Sequence, residues 1–149
     1  MMIDKIKNWE KPSDWIQIQT IDTHTAGEPL RIIISGFPSL EGKTVAEKMS
    51  YLKENHDELR SLVMSEPRGH QDMYGAILVS PDNEGSDLGV IFMHNNGYSS
   101  GCGHAVIAIA KVLFEIEISK SKLFKNCLIM DVPSGKIKAE AILDNEQIT

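Results

Sequence analysis

Residues 87–111, DLGVIFMHNNGYSSGCGHAVIAIAK, decide the fold, because two apolar segments there flank a glycine-rich loop. The first segment, residues 90–93, is a short apolar run bounded by Gly and Asn, which is typical of a buried strand. In the second, residues 105–114, Lys111 is the only charge, so a helix here must be buried on most sides. This order predicts a strand that leads through a loop into a buried helix starting near Cys102.

Upstream of this stretch the pattern changes from strands to a helix. Ile16 and Ile18 alternate with glutamines, which predicts a strand with one solvent-exposed face. Residues 32–34 predict a second, more buried strand. Residues 23–29, THTAGEP, are predicted to form a loop. Residues 44–62 are predicted to form one amphipathic helix, because Thr44 and Glu47 match a capping box before apolar residues at helical spacing. We expect its polar face to carry Lys48, Glu54, His56 and Glu58.

Downstream of it, short strands complete the pattern. Residues 76–79 form another apolar run, and residues 127–130 and 137–141 flank a turn at 133–135, which predicts a β-hairpin. The order of strands, helix, strands, central helix and strands indicates the α+β class. No repeat or linker interrupts the chain, so we expect residues 1–149 to form a single domain.

Charge and hydropathy narrow the classes of function. Fifteen Lys and Arg against 21 Asp and Glu give a net charge of −6, which disfavours binding to nucleic acids and anionic membranes. The longest unbroken apolar run, residues 105–110, is too short to span a bilayer, and residues 1–15 lack the apolar run of a signal peptide. Two cysteines cannot make a disulfide framework, so we expect a reducing, cytoplasmic compartment.

The candidate site is the segment GYSSGCGH at residues 97–104. It places the Cys102 thiol at a helix N-terminus, where unpaired N–H groups and the helix dipole stabilise anions and predict a lowered thiol pKa. The same N–H groups suit a substrate carboxylate, and Gly101 and Gly103 leave room for a small ligand. The alternative is that Cys102, like Cys127 in its apolar strand, is an inert buried cysteine.

Metal and hydrolase chemistry have weaker support. No two histidines are three to five residues apart, and neither CxxC nor HExxH occurs, so no metal site is predicted. His24, His70 and His94 are expected to hydrogen-bond to the backbone in or near loops. A cysteine hydrolase needs an oriented base beside the thiol, and the Cys102–His104 spacing does not provide that geometry. It therefore stays a minor alternative.

Four motifs in the same order resemble the N-terminal half of the proline racemase family. They are IDTHTAGEP at 21–29, SEPRGHQDMYGAILV at 65–79, DLGVIFMHNNGYSSGCGHAVIAIAK at 87–111 and DVPSGKIKA at 131–139. The family includes proline racemases, hydroxyproline 2-epimerases and trans-3-hydroxy-L-proline dehydratases. The resemblance implies a diaminopimelate epimerase-like fold with two related domains and a mostly antiparallel curled sheet around each central helix.

The resemblance also implies a mechanism without metal or other cofactor. Cys102 would take or return the Cα proton of free proline or hydroxyproline, and Gly103 and His104 would contact the substrate carboxylate. Ala105 after Cys-Gly-His and the lead-in FMHNNGYSS favour the dehydratase branch slightly, whereas Gly101 departs from the methionine common in the family.

Family chains are about twice this length, so we expect the second domain, with its acid/base group, to be missing. The chain alone is then predicted to be inactive, and a homodimer is one option for its exposed face. A truncated, non-catalytic half-domain is the main alternative to an enzyme.

Overall fold

A computed structural model describes residues 1–120, 126–144 and 147–148. The elements follow in chain order as α1 (Met2–Lys7), β1 (Gln19–Thr25), β2 (Glu28–Ser35), α2 (Val45–Asn55), α3 (Asp57–Met64), β3 (Tyr74–Val79), β4 (Leu88–His94), β5 (Gly97–Ser99), α4 (Gly103–Lys120), β6 (Cys127–Val132), β7 (Gly135–Glu140), β8 (Leu143–Asp144) and β9 (Gln147–Ile148).

Among the described residues, seven strands form one sheet in the order β1-β2-β3-β4-β6-β7, with β5 paired to β4. The pairs β2–β3 and β4–β6 are parallel, and the other pairs are antiparallel. The helix α4 contacts β1 and β7, the two ends of this path, as well as β2 and β3 between them. The sheet therefore curls around α4, as the family resemblance implies.

Both faces of the sheet are covered, and each has its own apolar cluster. The inner cluster joins the sheet to α4 and consists of Leu30, Ile32, Ala76, Val90, Phe92, Ala105, Ala108, Ile109, Ala110, Phe114, Leu128, Met130, Val132 and Ala141. The outer cluster joins the sheet to α2 and α3 and consists of Ile33, Val45, Leu52, Val63, Met64, Met73, Ile77, Ile91 and Met93. Neighbouring residues of β4 alternate between the clusters because successive side chains of a strand point to opposite faces.

The predictions for the first strands are partly wrong. Residues 16–18 lie outside the ladder, and β1 begins at Gln19. Gly36 explains this boundary, because it has a φ of +98° and packs so closely on the Gln17 and Ile18 backbone that a Cβ would collide. Residues 23–29 are not all loop either, since only Ala26 and Gly27 form the turn, with φ of 51° and 97°. Positive φ at both positions is the geometry that joins twisted antiparallel strands.

The predicted helix over residues 44–62 is two helices, broken at His56. The capping box is confirmed, because the Thr44 side chain accepts from the Glu47 N–H and the Glu47 side chain accepts from the Thr44 N–H. The break was not predicted because the apolar spacing continues across it. Lys48, predicted on the polar, solvent-exposed face of the helix, is instead buried, with 6% exposure. Its Nζ donates to the Ser80 carbonyl and hydroxyl, both at 2.8 Å.

The remaining elements agree with the predictions, apart from α1, β5, β8 and β9, which no pattern indicated. The strands β3 and β4 and the β6–β7 hairpin include the predicted residues except Ala141, which lies just after β7, and α4 starts directly after Cys102. The expectation that α4 is buried on most sides holds except along one line of residues: Ile107 is 60% exposed, and Gly103, Lys111 and Glu115 are exposed as well. One stripe of the central helix therefore remains open within the described part of the chain.

Candidate functional site

The site lies where β5 passes into α4. The Val106 N–H donates to the Cys102 carbonyl at 3.0 Å, so Cys102 is the residue that caps the helix. The preceding loop is held from two sides: the Ser99 hydroxyl donates to the Gly101 carbonyl at 2.6 Å, and the Ser134 N–H donates to the Ser100 carbonyl at 3.2 Å. These bonds fix the thiol at the rim between the helix and the β6–β7 turn.

The Cys102 thiol is half-buried, and its surroundings oppose the prediction of a lowered pKa. Burial raises the pKa of the thiol, the Ala105 N–H lowers it, and the Glu28 carboxylate raises it further. The net pKa is raised, because one N–H of the helix start does not offset the loss of water and the nearby negative charge. The prediction was wrong for the free chain because it considered the helix start without the strands around it.

His104 lies against Cys102, closer than the sequence spacing indicated. The Sγ atom is 3.4 Å from Nδ1 and 3.7 Å from Nε2 of the ring. Since a sulfur on the lone-pair axis of one ring nitrogen would be much farther from the other, the contact is not an aligned hydrogen bond. The thiol and imidazole therefore meet without the nucleophile–base alignment of a cysteine hydrolase.

Two residues from distant parts of the chain hold His104 in place. The Thr25 hydroxyl donates to the His104 carbonyl at 2.9 Å, and the Tyr74 ring meets the imidazole edge-on with centroids 4.7 Å apart. Neither was among the predicted site residues. Both lie in the quoted motifs, but no local pattern indicates that these motifs meet at the helix start.

Gly103 completes the predicted site. A Cβ on Gly103 would meet no atom within 4 Å, so this position opens to solvent. The N–H groups of Gly103 and His104 are the first in α4 and have no intrahelical acceptor. The structure thus brings Cys102, Gly103 and His104 together in one open helix terminus that presents a thiol, an imidazole and two N–H donors.

Hydrogen bonds beneath the site hold the loops that lead to it. The buried Arg60 guanidinium pairs with both Asp57 oxygens and donates to the carbonyls of His94 and Asn95 at the β4–β5 turn. The Asn95 amide in turn donates to the Met64 and His70 carbonyls and accepts from the Met73 N–H. The turn before Cys102 is therefore anchored to α3 and to the loop before β3.

The other cysteine and histidines are not in this site. Cys127 is half-buried at the start of β6, beside Leu113 and Phe114 of α4 in a groove of about 350 Å³. The predicted backbone bonds of three histidines are confirmed: Nδ1 of His24 accepts from Gly27 and that of His94 from Asn96, while His70 Nδ1 lies 2.6 Å from the Gln71 carbonyl. In the described ranges, no three His, Cys, Asp or Glu residues are grouped to hold a metal ion.

No helix in the described part of the chain is both long and apolar enough to cross a membrane.

The fold and the site define a class of protein: an α+β domain in which a curled, mostly antiparallel sheet surrounds one helix, with a cysteine at the start of that helix. Within this class the chain belongs to the proline racemase family, because the family model for proline racemase matches residues 20–149. Similar solved structures, one of which is described below, confirm the diaminopimelate epimerase-like fold that the resemblance implies.

Two curated relatives and one solved structure illustrate the match. The trans-L-3-hydroxyproline dehydratase of Xenopus tropicalis is 53% identical over 129 residues, 86% of this chain and 37% of that protein. The proline racemase of Acetoanaerobium sticklandii is 42% identical over 131 residues, 88% of this chain and 39% of that protein. A crystal structure of a hydroxyproline epimerase from Agrobacterium vitis with bound trans-4-hydroxy-L-proline has a TM-score of 0.76 at 23% identity, covering 88% of this chain and 39% of that one.

The chain therefore spans about 40% of the length of the curated relatives it matches.

Proposed function

We propose that this chain is the cysteine-bearing half of a proline racemase family enzyme, and that Cys102 is the acid/base that acts on the Cα proton of free proline or hydroxyproline. The observation that carries the proposal is the meeting of the Cys102 sulfur, the His104 ring and the first N–H groups of α4 at one open helix terminus. In this proposal a second domain supplies the other acid/base group.

The first step is recognition of the substrate carboxylate. The N–H groups of Gly103 and His104 point out of the helix start, where the dipole favours an anion. Thr25 fixes the His104 carbonyl, and Tyr74 fixes its ring, so both donors are held before the substrate binds. Such preorganised donors stabilise the charge that develops on the carboxylate when the Cα proton leaves.

The second step is proton transfer at Cα. The Cys102 thiolate takes the proton, the S–H bond forms, and the electron pair of the C–H bond moves into the carboxylate as an enediolate. Return of a proton from the opposite face by the second acid/base group inverts the centre. If that group instead protonates the Cβ hydroxyl, the C–O bond breaks, water leaves, and the enediolate electrons form the double bond of a dehydrated ring. Both outcomes need only protein groups, and no cofactor is part of the proposal.

Among these outcomes we favour dehydration of trans-3-hydroxy-L-proline. The dehydratase from Xenopus tropicalis is 53% identical to the chain, against 42% for the racemase from Acetoanaerobium sticklandii, and Ala105 follows the Cys-Gly-His motif.

The two unpaired cysteines favour a reducing, cytoplasmic compartment.

Deuterium uptake at Cα in heavy water tests the proposal. The longest product of the coding gene that includes residues 1–149 is incubated with trans-3-hydroxy-L-proline or L-proline, and the recovered amino acid is analysed by NMR. We expect uptake with wild type and Cys127→Ala, and a decrease of at least about 100-fold with Cys102→Ala. Uptake that persists in Cys102→Ala contradicts the role of Cys102. No uptake by the longest product of the coding gene favours a non-catalytic half-domain instead.

A further inference from the structure

A cavity of about 260 Å³ lies between the carboxyl ends of β2 and β3. The parallel ladder of these two strands ends at the pair Ile33–Ile77, although β2 continues to Ser35 and β3 to Val79. Residues of both strand ends line the space that opens beyond the last pair, and the loop after β2 lines its other wall. The carboxyl ends of neighbouring parallel strands are a common place for ligands to bind.

The Lys48 ammonium is buried at this cavity without a counter-ion. Lys48 lines the cavity and is 6% exposed, and its Nζ donates to the carbonyl and the hydroxyl of Ser80, both at 2.8 Å. An ammonium has three N–H donors, so one is left. In the part of the chain that the structure describes, no carboxylate is at ion-pair distance from Lys48. Burial of an uncompensated charge is costly, and a bound anion would offset that cost.

The carboxylates on the neighbouring elements have other partners. Glu47, next to Lys48 in α2, accepts from the Thr44 N–H in the capping box. Asp82, two residues after Ser80, accepts from the Val45 N–H at 2.6 Å. These bonds hold the start of the helix that carries Lys48, so the ammonium is positioned before any ligand binds.

The rest of the wall indicates the chemistry of the ligand. The Ser80 hydroxyl accepts from Lys48 and keeps its own proton to donate, and Ser39 adds a second hydroxyl to the lining. Phe37 and Leu40 supply apolar surface beside these groups. One positive charge flanked by hydroxyls matches a single carboxylate, whereas a doubly charged anion would leave negative charge uncompensated. The volume is below the roughly 300 Å³ at which pockets for drug-sized molecules begin, so the ligand is small.

We propose that this cavity binds a small organic monocarboxylate, with its carboxylate on Lys48 and Ser80 and its hydrocarbon part against Phe37 and Leu40. The site is distinct from that of Cys102. The turn before β2 is bonded to His104 through Thr25, whereas the cavity is at the other end of β2, roughly 20 Å away at the usual rise of a strand. The inference does not depend on the proposed function.

Isothermal titration calorimetry with isovalerate tests the site in the longest product of the coding gene that includes residues 1–149. We expect a dissociation constant of about 1 mM or lower for the wild type. Lys48→Met keeps the length of the side chain but loses the charge-assisted bond, so its affinity should fall at least about tenfold. The exposed Lys43→Met, also near the start of α2, is the matched control and should bind like the wild type.

A milder variant keeps the test valid if Lys48→Met does not fold, which circular dichroism would show. Ser80→Ala retains the ammonium and its bond to the carbonyl but removes one donor to the ligand, so we expect about threefold weaker binding or more. No binding of isovalerate by the wild type overturns the site. Wild-type affinity in a folded Lys48→Met, or in Ser80→Ala if that variant must stand alone, overturns it as well.

Three further ligands test the chemistry and the location. Isovaleramide, the uncharged analogue, should bind at least about tenfold more weakly than isovalerate. Inorganic phosphate should also bind more weakly, and tighter binding of phosphate overturns the choice of a monocarboxylate. Excess L-proline should leave the affinity for isovalerate unchanged. Competition by L-proline would assign the binding to the start of α4 and overturn a second site, without affecting the proposed role of Cys102.

Discussion

The two faces of the sheet are built by different means. The inner cluster around α4 is made only of apolar side chains, and Phe92 and Ile109 at its centre are at most 1% exposed. The outer face combines its apolar cluster with buried ionic groups, among them Lys48 and Arg60. Burial of apolar surface positions the central helix, whereas hydrogen bonds from charged groups hold loops, among them the β4–β5 turn before the site.

The outer charges share one task, which is to satisfy backbone groups of loops. Arg31, between the inward-facing Leu30 and Ile32, donates to the carbonyls of Val63 and Arg68 as well as to Asp22. Lys48 and Arg60 likewise donate to carbonyls. A buried carbonyl without a donor costs stability, so these cations stabilise loops that no apolar pattern would hold.

The largest expected effect is on the inner face. Phe92→Ala removes a fully buried ring between the sheet and α4, and we expect the free energy of unfolding to fall by about 3–5 kcal/mol. Urea denaturation followed by circular dichroism measures it. Ile34→Ala, at a position 49% exposed, is the control and should cost under about 1 kcal/mol. A loss no larger than that of the control contradicts the assignment of the inner face as the main source of stability.

On the outer face, Arg60→Met should have the next largest effect. It leaves the His94 and Asn95 carbonyls without their donor and Asp57 without its partner, so we expect a loss of about 2–3 kcal/mol. Arg60→Lys should restore less than half, because an ammonium lacks the planar fork that serves a carboxylate and two carbonyls together. Arg68→Met, an exposed side chain, is the matched control. Full restoration by lysine would show that charge alone, not geometry, holds the turn.

A smaller, pH-dependent effect is expected at Asp131. This residue is 2% exposed and follows the inward-facing Met130, so its carboxylate points to the outer face. Burial alone raises the pKa of Asp131, but bonds from Ser86, Asp82 and Asn83 and the charge of Lys136 outweigh it, and the pKa is lowered. Its stabilisation is therefore complete above the unfolded-state pKa and is lost as the pH falls through the lower folded-state pKa.

We therefore expect Asp131→Asn to cost about 1–2 kcal/mol at pH 7 and to flatten the loss of stability between about pH 5 and pH 2. Urea denaturation at a series of pH values measures both, with the exposed Asp14→Asn as the control. An acid-induced loss in Asp131→Asn as steep as in the wild type would assign that loss to other carboxylates.

The comparison of the faces also explains which predictions succeeded. Residues 90–93 indicated a strand, and they lie in β4, which both clusters cover. The capping box at Thr44 was predictable because it joins neighbours in sequence. Lys48 was misplaced because helical spacing shows which side of a helix is polar on average but does not show that Ser80 accepts from this ammonium. The break at His56 was missed because the apolar spacing continues across it.

The sequence by itself determined the elements that depend on local pattern, the α+β class, the family, and the place of Cys102, Gly103 and His104 at the start of a buried helix. The tertiary structure decided what surrounds them: the parallel pairings of the sheet, the Thr25 and Tyr74 contacts with His104, and the raised thiol pKa. The physical reason is the separation along the chain over which each effect acts. Helix starts and strand alternation arise from neighbouring residues, whereas burial and the charge of Glu28 act on Cys102 only after distant strands curl around α4.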